Sequence, residues 1–388
     1  MTPPAVSNGR SSADVAVIGG GVIGLAVAWR AAQHGLRVTV LERDQVGGGA
    51  SHVAAGMLAP ISEARATEQA LLELGLASAR AYPAFVEELI EASGRDPGYL
   101  PCGTLAAARD HDEAQALDRE LALRRRLGLP VERLRASEAR ELEPALAPAL
   151  RLALEVPDDH AVDPRRLCAA LAEAAARAGV QVRAGTTVAG LLVSQRTVDG
   201  VALAGGERLA AEHVVVAAGA WCAQLEGVPA SAWVPVHPVK GQILRMRDPA
   251  GPGLLTRALR MRGGYVVPRG DGRYVLGATM EERGFDTTVT AGAIFELLRE
   301  AVELLPGVAE LAIEELSAGL RPGTPDNAPA IGPGSIPGLH WATGHFRGGI
   351  LLAPITAEIV AAALAGERPH ELAPAFAPTR FADVPVSA

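Results

Sequence analysis

Two arginines near the carboxyl end of the chain lie in turns rich in glycine or proline, where a guanidinium could bind a carboxylate. Arg321 stands in "GLRPGT", on a predicted strand that ends at Pro322, and Arg347 stands in "GHFRGG". A guanidinium matches a carboxylate with two parallel hydrogen bonds, and a hydrogen bond to a charged group contributes about 1.5–3 kcal/mol. The alternative for either arginine is a place on a surface turn that binds no ligand.

A glycine-rich turn near the amino end has the spacing of a dinucleotide site. The stretch "VAVIGGGVIGLAVAW" predicts a strand, a tight turn and a helix, and Gly19, Gly21 and Gly24 satisfy G-x-G-x-x-G. The first glycine permits the turn, the second lets backbone approach a pyrophosphate, and the third lets the helix pack on the strand. Glu42 ends the next predicted strand, where it could accept a ribose hydroxyl, and it disfavours NADP. The motif does not separate NAD from FAD, and the alternative is a turn that binds no nucleotide.

The residues that follow Glu42 are unusually small. The stretch "RDQVGGGASHVAAGMLAP" leaves no room for the crossover helix that a nicotinamide dehydrogenase places here. Small residues let the backbone lie against a flat ligand. The alternative is a flexible surface loop, in which Ala50, Ser51 and residues 55–57 have no binding role.

The end of the chain has the same order of predicted elements as the amino end, namely a strand, a glycine turn and a helix. "GLHWATG" predicts a strand, "HFRGG" a turn, and "ILLAPITAEIVAAALAG" a helix that begins near Gly349. A helix N-terminus beside a flavin would stabilise the anion formed when the ring takes two electrons. A further predicted strand, "EHVVVAAGAW", also ends in small residues, Ala218 and Gly219, that could approach a nucleotide.

Together these motifs resemble the glycine oxidases and D-amino-acid oxidases, a family of FAD-dependent oxidoreductases, and especially the glycine oxidases of thiamine biosynthesis. The likeness extends from Asp14 to about Gly366. It implies non-covalent FAD, since the carboxy-terminal motif contains no cysteine. The cofactor-binding positions that it implies are Gly19, Gly21, Val22, Ile23, Gly24, Glu42, Arg43, Ala50, Ser51, Ala55, Gly56, Met57, Val188, Ala218, Gly219, Gly344, His345, Phe346, Arg347, Gly348, Gly349, Ile350 and Leu351.

The resemblance also implies a substrate pocket. Arg321 would clamp the carboxylate of an amino acid, Arg347 would contact the substrate, and Tyr265 and Met280 would line the pocket. On its own, either of the last two would more often be a core residue. The family often has a histidine two residues before this tyrosine, where this chain has Gly263, and that difference bears on pocket polarity. No metal site is predicted, because the histidines show no ligand spacing.

The activity implied is oxidation of glycine, and of sarcosine and small D-amino acids, by hydride transfer from the substrate Cα to flavin N5. No acid or base residue is expected, because alignment of a neutral amine suffices for this transfer. The imine would hydrolyse to glyoxylate and ammonia, and dioxygen would be reduced to hydrogen peroxide. The alternatives are a D-amino-acid dehydrogenase of the same fold and a non-catalytic flavin-binding module.

These motifs predict an α/β fold with two domains. A discontinuous Rossmann-like FAD-binding domain is predicted over 14–85, 155–225 and 320–370. A second, α+β substrate domain on a mostly antiparallel sheet is predicted over 86–154 and 226–319, with tails at 1–13 and 371–388. Residues 67–150 predict amphipathic helices, the run Arg124–Arg126 a solvated helix face, Asp163 a helix N-cap, and Gly270–Gly272 a hairpin turn.

Composition excludes several other classes. The 388 residues contain 36 Lys plus Arg against 44 Asp plus Glu, a formal charge of −8, which disfavours nucleic acid and anionic lipid as partners. Cys102, Cys168 and Cys222 are widely spaced, which argues against a zinc site and a disulfide framework and favours the reducing cytoplasm. The apolar stretch after Asp14 contains four glycines and lacks a basic leader, so no membrane anchor is predicted.

The resemblance also implies a homo-oligomer, because similar enzymes are homotetramers.

Overall fold

A computed structural model describes residues 12–383, so most of the predicted tail at 1–13 lies outside the described residues. The helices are α1 (Val22–Gln33), α2 (Ala50–Val53), α3 (Gln69–Ser93), α4 (His111–Arg126), α5 (Ala136–Leu142), α6 (Pro164–Arg177), α7 (Ala291–Leu304) and α8 (Ala353–Leu364). The strands are β1 (Ser12–Ile18), β2 (Val38–Leu41), β3 (Met57–Leu58), β4 (Tyr99–Leu100), β5 (Thr104–Ala108), β6 (Glu132–Arg135), β7 (Leu152–Val156), β8 (His160–Val162), β9 (Gln181–Arg183), β10 (Val188–Ser194), β11 (Thr197–Leu203), β12 (Arg208–Val216), β13 (His237–Arg247), β14 (Ala258–Met261), β15 (Gly264–Pro268), β16 (Arg273–Gly277), β17 (Ala312–Gly323), β18 (Ala330–Pro333) and β19 (Leu339–Thr343). Short 3₁₀ turns lie at Gly219–Gln224, Ala230–Ala232, Pro306–Glu310, Ala373–Phe376 and Pro378–Phe381.

The first sheet has the order β10-β11-β12-β1-β2-β9, and β19 pairs with the end of β12 and with β18. Strands β19, β12, β1, β2 and β9 run parallel, as expected for strands joined by crossover connections. Helices α1, α3, α6 and α8 pack against one another beside this sheet and bury a large aliphatic core. This is the predicted Rossmann-like layer.

The second sheet has the order β17-β13-β16-β15-β14-β5-β7-β6 and is antiparallel except between β14 and β5. Leu297, Ala301 and Leu304 of α7 are buried in a core shared with this sheet. The hairpin between β15 and β16 turns at the predicted residues 270–272. A small three-stranded sheet, β3-β8-β4, forms a third set of pairings. The predicted α/β fold with a mostly antiparallel second sheet is confirmed.

Two predictions for residues 67–150 were wrong in part. Thr104–Ala108 forms a strand rather than a helix, because all five residues are buried between β7 and β14, and tertiary packing overrides the helix propensity of alanine. Arg124 is buried rather than solvated: its guanidinium donates to the carbonyl oxygens of Ile61 (2.8 Å) and Ser62 (2.5 Å). Arg125 and Arg126 are exposed, as predicted.

The predicted helix cap and the chain end can also be located. The carboxylate of Asp163 accepts hydrogen bonds from the backbone amides of Arg165 and Arg166 at the start of α6, which is an N-cap. In the predicted tail at 371–388, Phe376 and Phe381 are buried, and residues 384–388 lie outside the described residues. The predicted domain boundaries at 155 and 320 fall inside β7 and β17, and the division into domains remains a proposal. Among residues 12–383, no helix has the length and apolarity to cross a bilayer.

Candidate active site

A cavity of about 970 Å³ lies where the two large sheets meet. One wall is formed at the carboxyl ends of β1, β2 and β19, by Ile18, Leu41 and Thr343. The other wall is formed by residues of β13, β15 and β17. Ligands of open α/β sheets bind at the carboxyl ends of the strands, so this cavity is where a nucleotide is expected.

Most of the predicted cofactor residues line this cavity. They are Gly19, Gly21, Val22, Ile23, Glu42, Arg43, Ala50, Ser51, Ala55, Gly56, Met57, Val188, Ala218, Gly219, His345, Phe346, Arg347, Gly349 and Ile350. Gly24, Gly344, Gly348 and Leu351 do not line it, and Gly348 and Leu351 line a smaller neighbouring cavity. Of the predicted substrate residues, Arg321, Arg347 and Tyr265 line the cavity. Met280 does not, and 61% of its surface is exposed.

The glycine turn between β1 and α1 has the close contacts that its spacing predicted. Gly19 has φ of +107°, and a Cβ there would lie 2.5 Å from the carbonyl oxygen of Ala217. A Cβ on Gly24 would lie 1.9 Å from the carbonyl oxygen of Gly19, so only glycine lets the helix approach the strand this closely. The backbone amide of Val22 donates to Ser51 Oγ (3.0 Å), which ties the start of α1 to the small-residue segment.

Glu42 is held in place by the backbone around it. Its carboxylate accepts hydrogen bonds from the amide of Gly20 (2.7 Å) and from the amide of Asp44 (2.9 Å). A carboxylate has about four acceptor directions, so two remain for a ligand hydroxyl. Next to it, the guanidinium of Arg43 lies 3.9 Å from the centre of the Trp221 ring, and both residues line the cavity.

The small-residue segment forms a short helix, α2, followed by an extended stretch. Gly56 has φ of +79°, and a Cβ there would lie 2.0 Å from the carbonyl oxygen of Val162. Arg245 and Arg165 donate to the carbonyl oxygen of His52 at 2.7 and 3.0 Å. The segment is therefore fixed, and the alternative of a flexible surface loop is not supported.

The turn that carries Arg347 is longer than predicted. Helix α8 begins at Ala353 rather than near Gly349, with Pro354 in its first turn, where a proline sacrifices no hydrogen bond. The carbonyl oxygens of Ile350 and Leu351 accept hydrogen bonds from Tyr82 (3.1 Å) and Ser78 (2.6 Å), which tie this segment to α3. The turn is also tied to the second sheet.

The tie is a backbone hydrogen bond between the two arginine motifs. The amide of Phe346 donates to the carbonyl oxygen of Pro322 (2.8 Å), and Phe346 has φ of +46°. Because Pro322 follows Arg321 and Phe346 precedes Arg347, this bond joins the backbone segments that carry the two predicted substrate arginines. The contact runs between β17 of the second sheet and the turn after β19 of the first.

Arg321 is oriented toward the cavity with no anion among its described partners. Its Nη1 donates to the carbonyl oxygen of Thr279 at 3.0 Å and, more weakly, to that of Lys240 at 3.4 Å. Its guanidinium lies against Gly241, where a Cβ would be 2.4 Å from Nη1. Burial raises the pKa of Tyr265, and the positive charge of Arg321 lowers it, so these two side chains share one corner. A guanidinium paired only with neutral groups can receive a carboxylate.

His345 is a neutral structural residue. Its side chain is buried, and its Nε2 is 2.9 Å from Thr356 Oγ1. Burial lowers the pKa of His345 to about 3. It therefore carries no charge near neutral pH.

Several cavity residues were not predicted. Glu63 places Oε2 3.4 Å from Nε of Arg347 and lines the cavity, and no motif around it indicated this. Gly241 could have been found, because a glycine within a strand pattern often marks the close approach of another group. The far end of the cavity is lined by residues of the β9–β10 connection and by Trp221, Gln224 and Glu226.

The residues present fit FAD. Gly21 and Gly349 line the cavity, and Cβ atoms on them would lie 3.3 Å from Ser51 Oγ and 3.6 Å from His345 Cβ. No backbone contact requires these two glycines, so the room that they leave belongs to the cavity. The start of α1 offers backbone amides and a positive dipole end to phosphates. The volume is in the range of about 300–1,000 Å³ that ligand sites have.

The chain belongs to the family of FAD-dependent oxidoreductases, whose family model matches residues 14–363. It is therefore an FAD-dependent enzyme of this family. The glycine oxidase of Geobacillus kaustophilus is 39% identical over 350 residues, which cover 90% of this chain and 92% of that one. The crystal structure of the glycine oxidase of that organism superposes with a TM-score of 0.89 at 38% identity and covers 95% of this chain and 99% of that one.

Two further relatives bear on function. The bifunctional protein ThiO/ThiG of Synechocystis is 38% identical over 383 residues, which cover 96% of this chain and 54% of that protein, so this chain spans about half of its length. The iminodiacetate oxidase of Chelativorans superposes with a TM-score of 0.85 at 28% identity and covers 94% of this chain and 98% of that one.

Proposed function

We propose that this protein is a glycine oxidase that converts glycine to glyoxylate, ammonia and hydrogen peroxide, with sarcosine and small D-amino acids as further substrates. The observation that carries the proposal is the guanidinium of Arg321, which faces the cavity beside Tyr265 and whose described partners are neutral. Support also comes from the relatives named glycine oxidase. We further propose a role in forming the thiazole of thiamine, supported by the ThiO/ThiG relative.

FAD would be held by the residues of the glycine turn, by Glu42, by the small-residue segment and by the turn at 345–350. When bound, it supplies the acceptor for two electrons from the substrate Cα–H bond, and dioxygen then takes those electrons to form hydrogen peroxide. Arg321 binds the substrate carboxylate, and Tyr265 lines the cavity beside Arg321. This fixes the orientation of a small amino acid, and orientation alone can supply a large share of a rate enhancement. The imine product needs only water to give the oxo acid and ammonia.

No side chain is assigned as acid or base. His345 is neutral and hydrogen-bonded to Thr356, so it is poorly placed to exchange a proton with substrate. The substrate amine must then lose its proton to solvent, and we expect turnover to rise with pH as the amine becomes neutral. We also propose a homo-oligomer and a cytoplasmic location, the latter supported by three free cysteines.

The proposal is tested by a substrate panel and one variant. Oxygen consumption and peroxide release are measured with glycine, sarcosine, D-alanine and D-proline, and turnover of none of them would refute an oxidase. Slow oxygen consumption with fast reduction of a dye would instead favour a D-amino-acid dehydrogenase. Arg321→Ala should raise KM for glycine strongly while the visible spectrum of bound flavin stays the same.

The solved structures that share this fold include a glycine oxidase and an iminodiacetate oxidase. Iminodiacetate is glycine with a carboxymethyl group on its nitrogen, so a site for glycine must accept one carboxylate and a site for iminodiacetate must accept two. We expect the side chains near Arg321 to determine whether the site accepts one carboxylate or two.

A further inference from the structure

Glu63 stands between two cavities. It lines the large cavity, and it also lines a smaller neighbouring cavity of about 70 Å³, bordered by the start of α3 and the turn at 345–348. Arg347 lines both cavities as well, and its Nε is 3.4 Å from Glu63 Oε2. The two side chains are 29% and 36% exposed, so the pair is reached by solvent and can be displaced.

The segment that carries Glu63 is fixed by two buried charged side chains. The carboxylate of Asp159 accepts hydrogen bonds from the amides of Ile61 (3.1 Å) and Ser62 (2.6 Å). The guanidinium of Arg124 donates to the carbonyl oxygens of the same two residues. Buried charges are costly unless they are hydrogen-bonded. Here both charged side chains are hydrogen-bonded to the backbone of Ile61 and Ser62, and they fix the position of the two residues that precede Glu63.

The charge of Glu63 reaches the proposed carboxylate site. Burial is the main cause of the raised pKa of Tyr265, Arg321 lowers that pKa, and Glu63 raises it. Glu63 therefore acts on the same corner in which Arg321 would bind the substrate. In this corner Arg347 has an anionic partner, whereas the described partners of Arg321 are neutral.

Building on the proposed function, we propose that Glu63 is a specificity-determining residue that restricts the site to substrates with one carboxylate. A single carboxylate pairs with Arg321. A second carboxylate would need Arg347, which Glu63 already neutralises, and it would also be repelled by the charge of Glu63. Removing that charge while keeping the shape of the side chain frees Arg347 for a second carboxylate.

The experiment compares glycine with iminodiacetate, which is glycine with a second carboxymethyl group on its nitrogen. In Glu63→Gln, the ratio of kcat/KM for iminodiacetate to that for glycine should rise by about 10- to 100-fold, as expected for one gained charge-assisted interaction. Glu63→Asp keeps the charge and should keep the ratio low. In the double variant Glu63→Gln/Arg347→Met the gain should disappear, because the receiving guanidinium is gone.

The matched control is Glu68→Gln, which also removes one negative charge beside the smaller cavity. Glu68 pairs with Arg65 (3.5 Å) and accepts a hydrogen bond from Asn327 (3.3 Å), not from Arg347. This variant should leave the ratio as in the unmodified protein. An equal gain in Glu68→Gln would mean that general electrostatics set the preference, and the proposal would be overturned.

A binding measurement separates this proposal from the proposed function. Acetate and malonate are titrated into the flavin-loaded protein, and their dissociation constants are read from the visible spectrum. Glu63→Gln should tighten malonate relative to acetate, whether or not glycine is oxidised. No turnover of glycine by the unmodified protein would refute the glycine oxidase alone, whereas an unchanged malonate-to-acetate preference in Glu63→Gln would refute the role of Glu63. Should Glu63→Gln not fold, Glu63→Ala carries the same test.

Discussion

Gly241 offers a way to displace the proposed carboxylate clamp without removing it. Replacing it by alanine would put a Cβ 2.4 Å from Nη1, 2.5 Å from Nη2 and 2.6 Å from Cζ of Arg321. Carbon and nitrogen atoms in contact need about 3.5 Å, so the guanidinium must retreat by roughly 1 Å. It is the end of a flexible side chain, and we therefore expect Gly241→Ala to fold.

The displaced guanidinium should weaken the binding of the substrate carboxylate. A displacement of about 1 Å in a positioning group can reduce activity by roughly 100-fold, and a lost hydrogen bond to a charged group costs about 1.5–3 kcal/mol. We expect kcat/KM for glycine to fall by about 10- to 100-fold, since each 1.4 kcal/mol is a factor of ten. The midpoint temperature of unfolding and the amount of bound flavin should change little.

The assay is oxygen consumption as a function of glycine concentration, with flavin content read from the visible spectrum. Gly292→Ala is the matched control, because a Cβ there meets no atom within 4 Å, and its kinetics should be those of the unmodified protein. In a double-mutant cycle, Gly241→Ala should add nothing to Arg321→Ala, since the methyl group acts only through that guanidinium. An unchanged KM in Gly241→Ala, with Arg321→Ala strongly impaired, would refute the packing argument.

Three further outcomes are expected. Gly24→Ala should lower the flavin retained through gel filtration, because its Cβ would lie 1.9 Å from a backbone oxygen that cannot move away cheaply. The pKa of His345 is lowered to about 3 in the folded protein, so its stabilising contribution is present above pH 6.5 and is lost as pH falls toward 3; His345→Gln should lose less stability over that range than the unmodified protein. Burial raises the pKa of Asp159 to about 6, so its stabilising contribution is present below pH 3.8 and is lost as pH rises through 6; relative to Asp159→Asn, the unmodified protein should lose about 2 kcal/mol between pH 4 and 7.

Each of these has a result that contradicts it. Full flavin content in Gly24→Ala would mean that the turn relaxes without cost to the cofactor site. The two pH predictions are checked by chemical denaturation at several pH values, and parallel curves for variant and unmodified protein would rule out the assigned group as the source of the pH dependence.

Local patterns were enough to predict the glycine turn and the small-residue segment that line the cavity, while their binding of FAD remains a proposal. The turn at Gly19–Gly24 and the segment after Glu42 are contiguous in the chain, so their spacing carries the geometry. The strand at Thr104–Ala108 could not be predicted this way, because alanine favours a helix and only the neighbouring strands decide otherwise. Met280 was predicted by resemblance to line the pocket, and the structure places it in an exposed position.

The substrate end depends on contacts between distant parts of the chain. Glu63 reaches the cavity because Asp159, almost a hundred residues away, holds the two amides before it. Arg124 looked like part of a solvated basic run, and its burial is decided by carbonyl groups of that same segment. Neither contact leaves a pattern in a single sequence, since each depends on how α4 and the β7–β8 connection pack against residues 59–63.

The hydrogen bond from the amide of Phe346 to the carbonyl oxygen of Pro322 has a mechanical consequence. It couples the segment bearing one cation to the segment bearing the other, so a hinge motion between the two layers would carry both along together. The bond therefore opposes separation of the two backbone segments that carry Arg321 and Arg347. New substrate preferences would accordingly arise by exchanging side chains around this fixed pair, not by shifting one layer against the other.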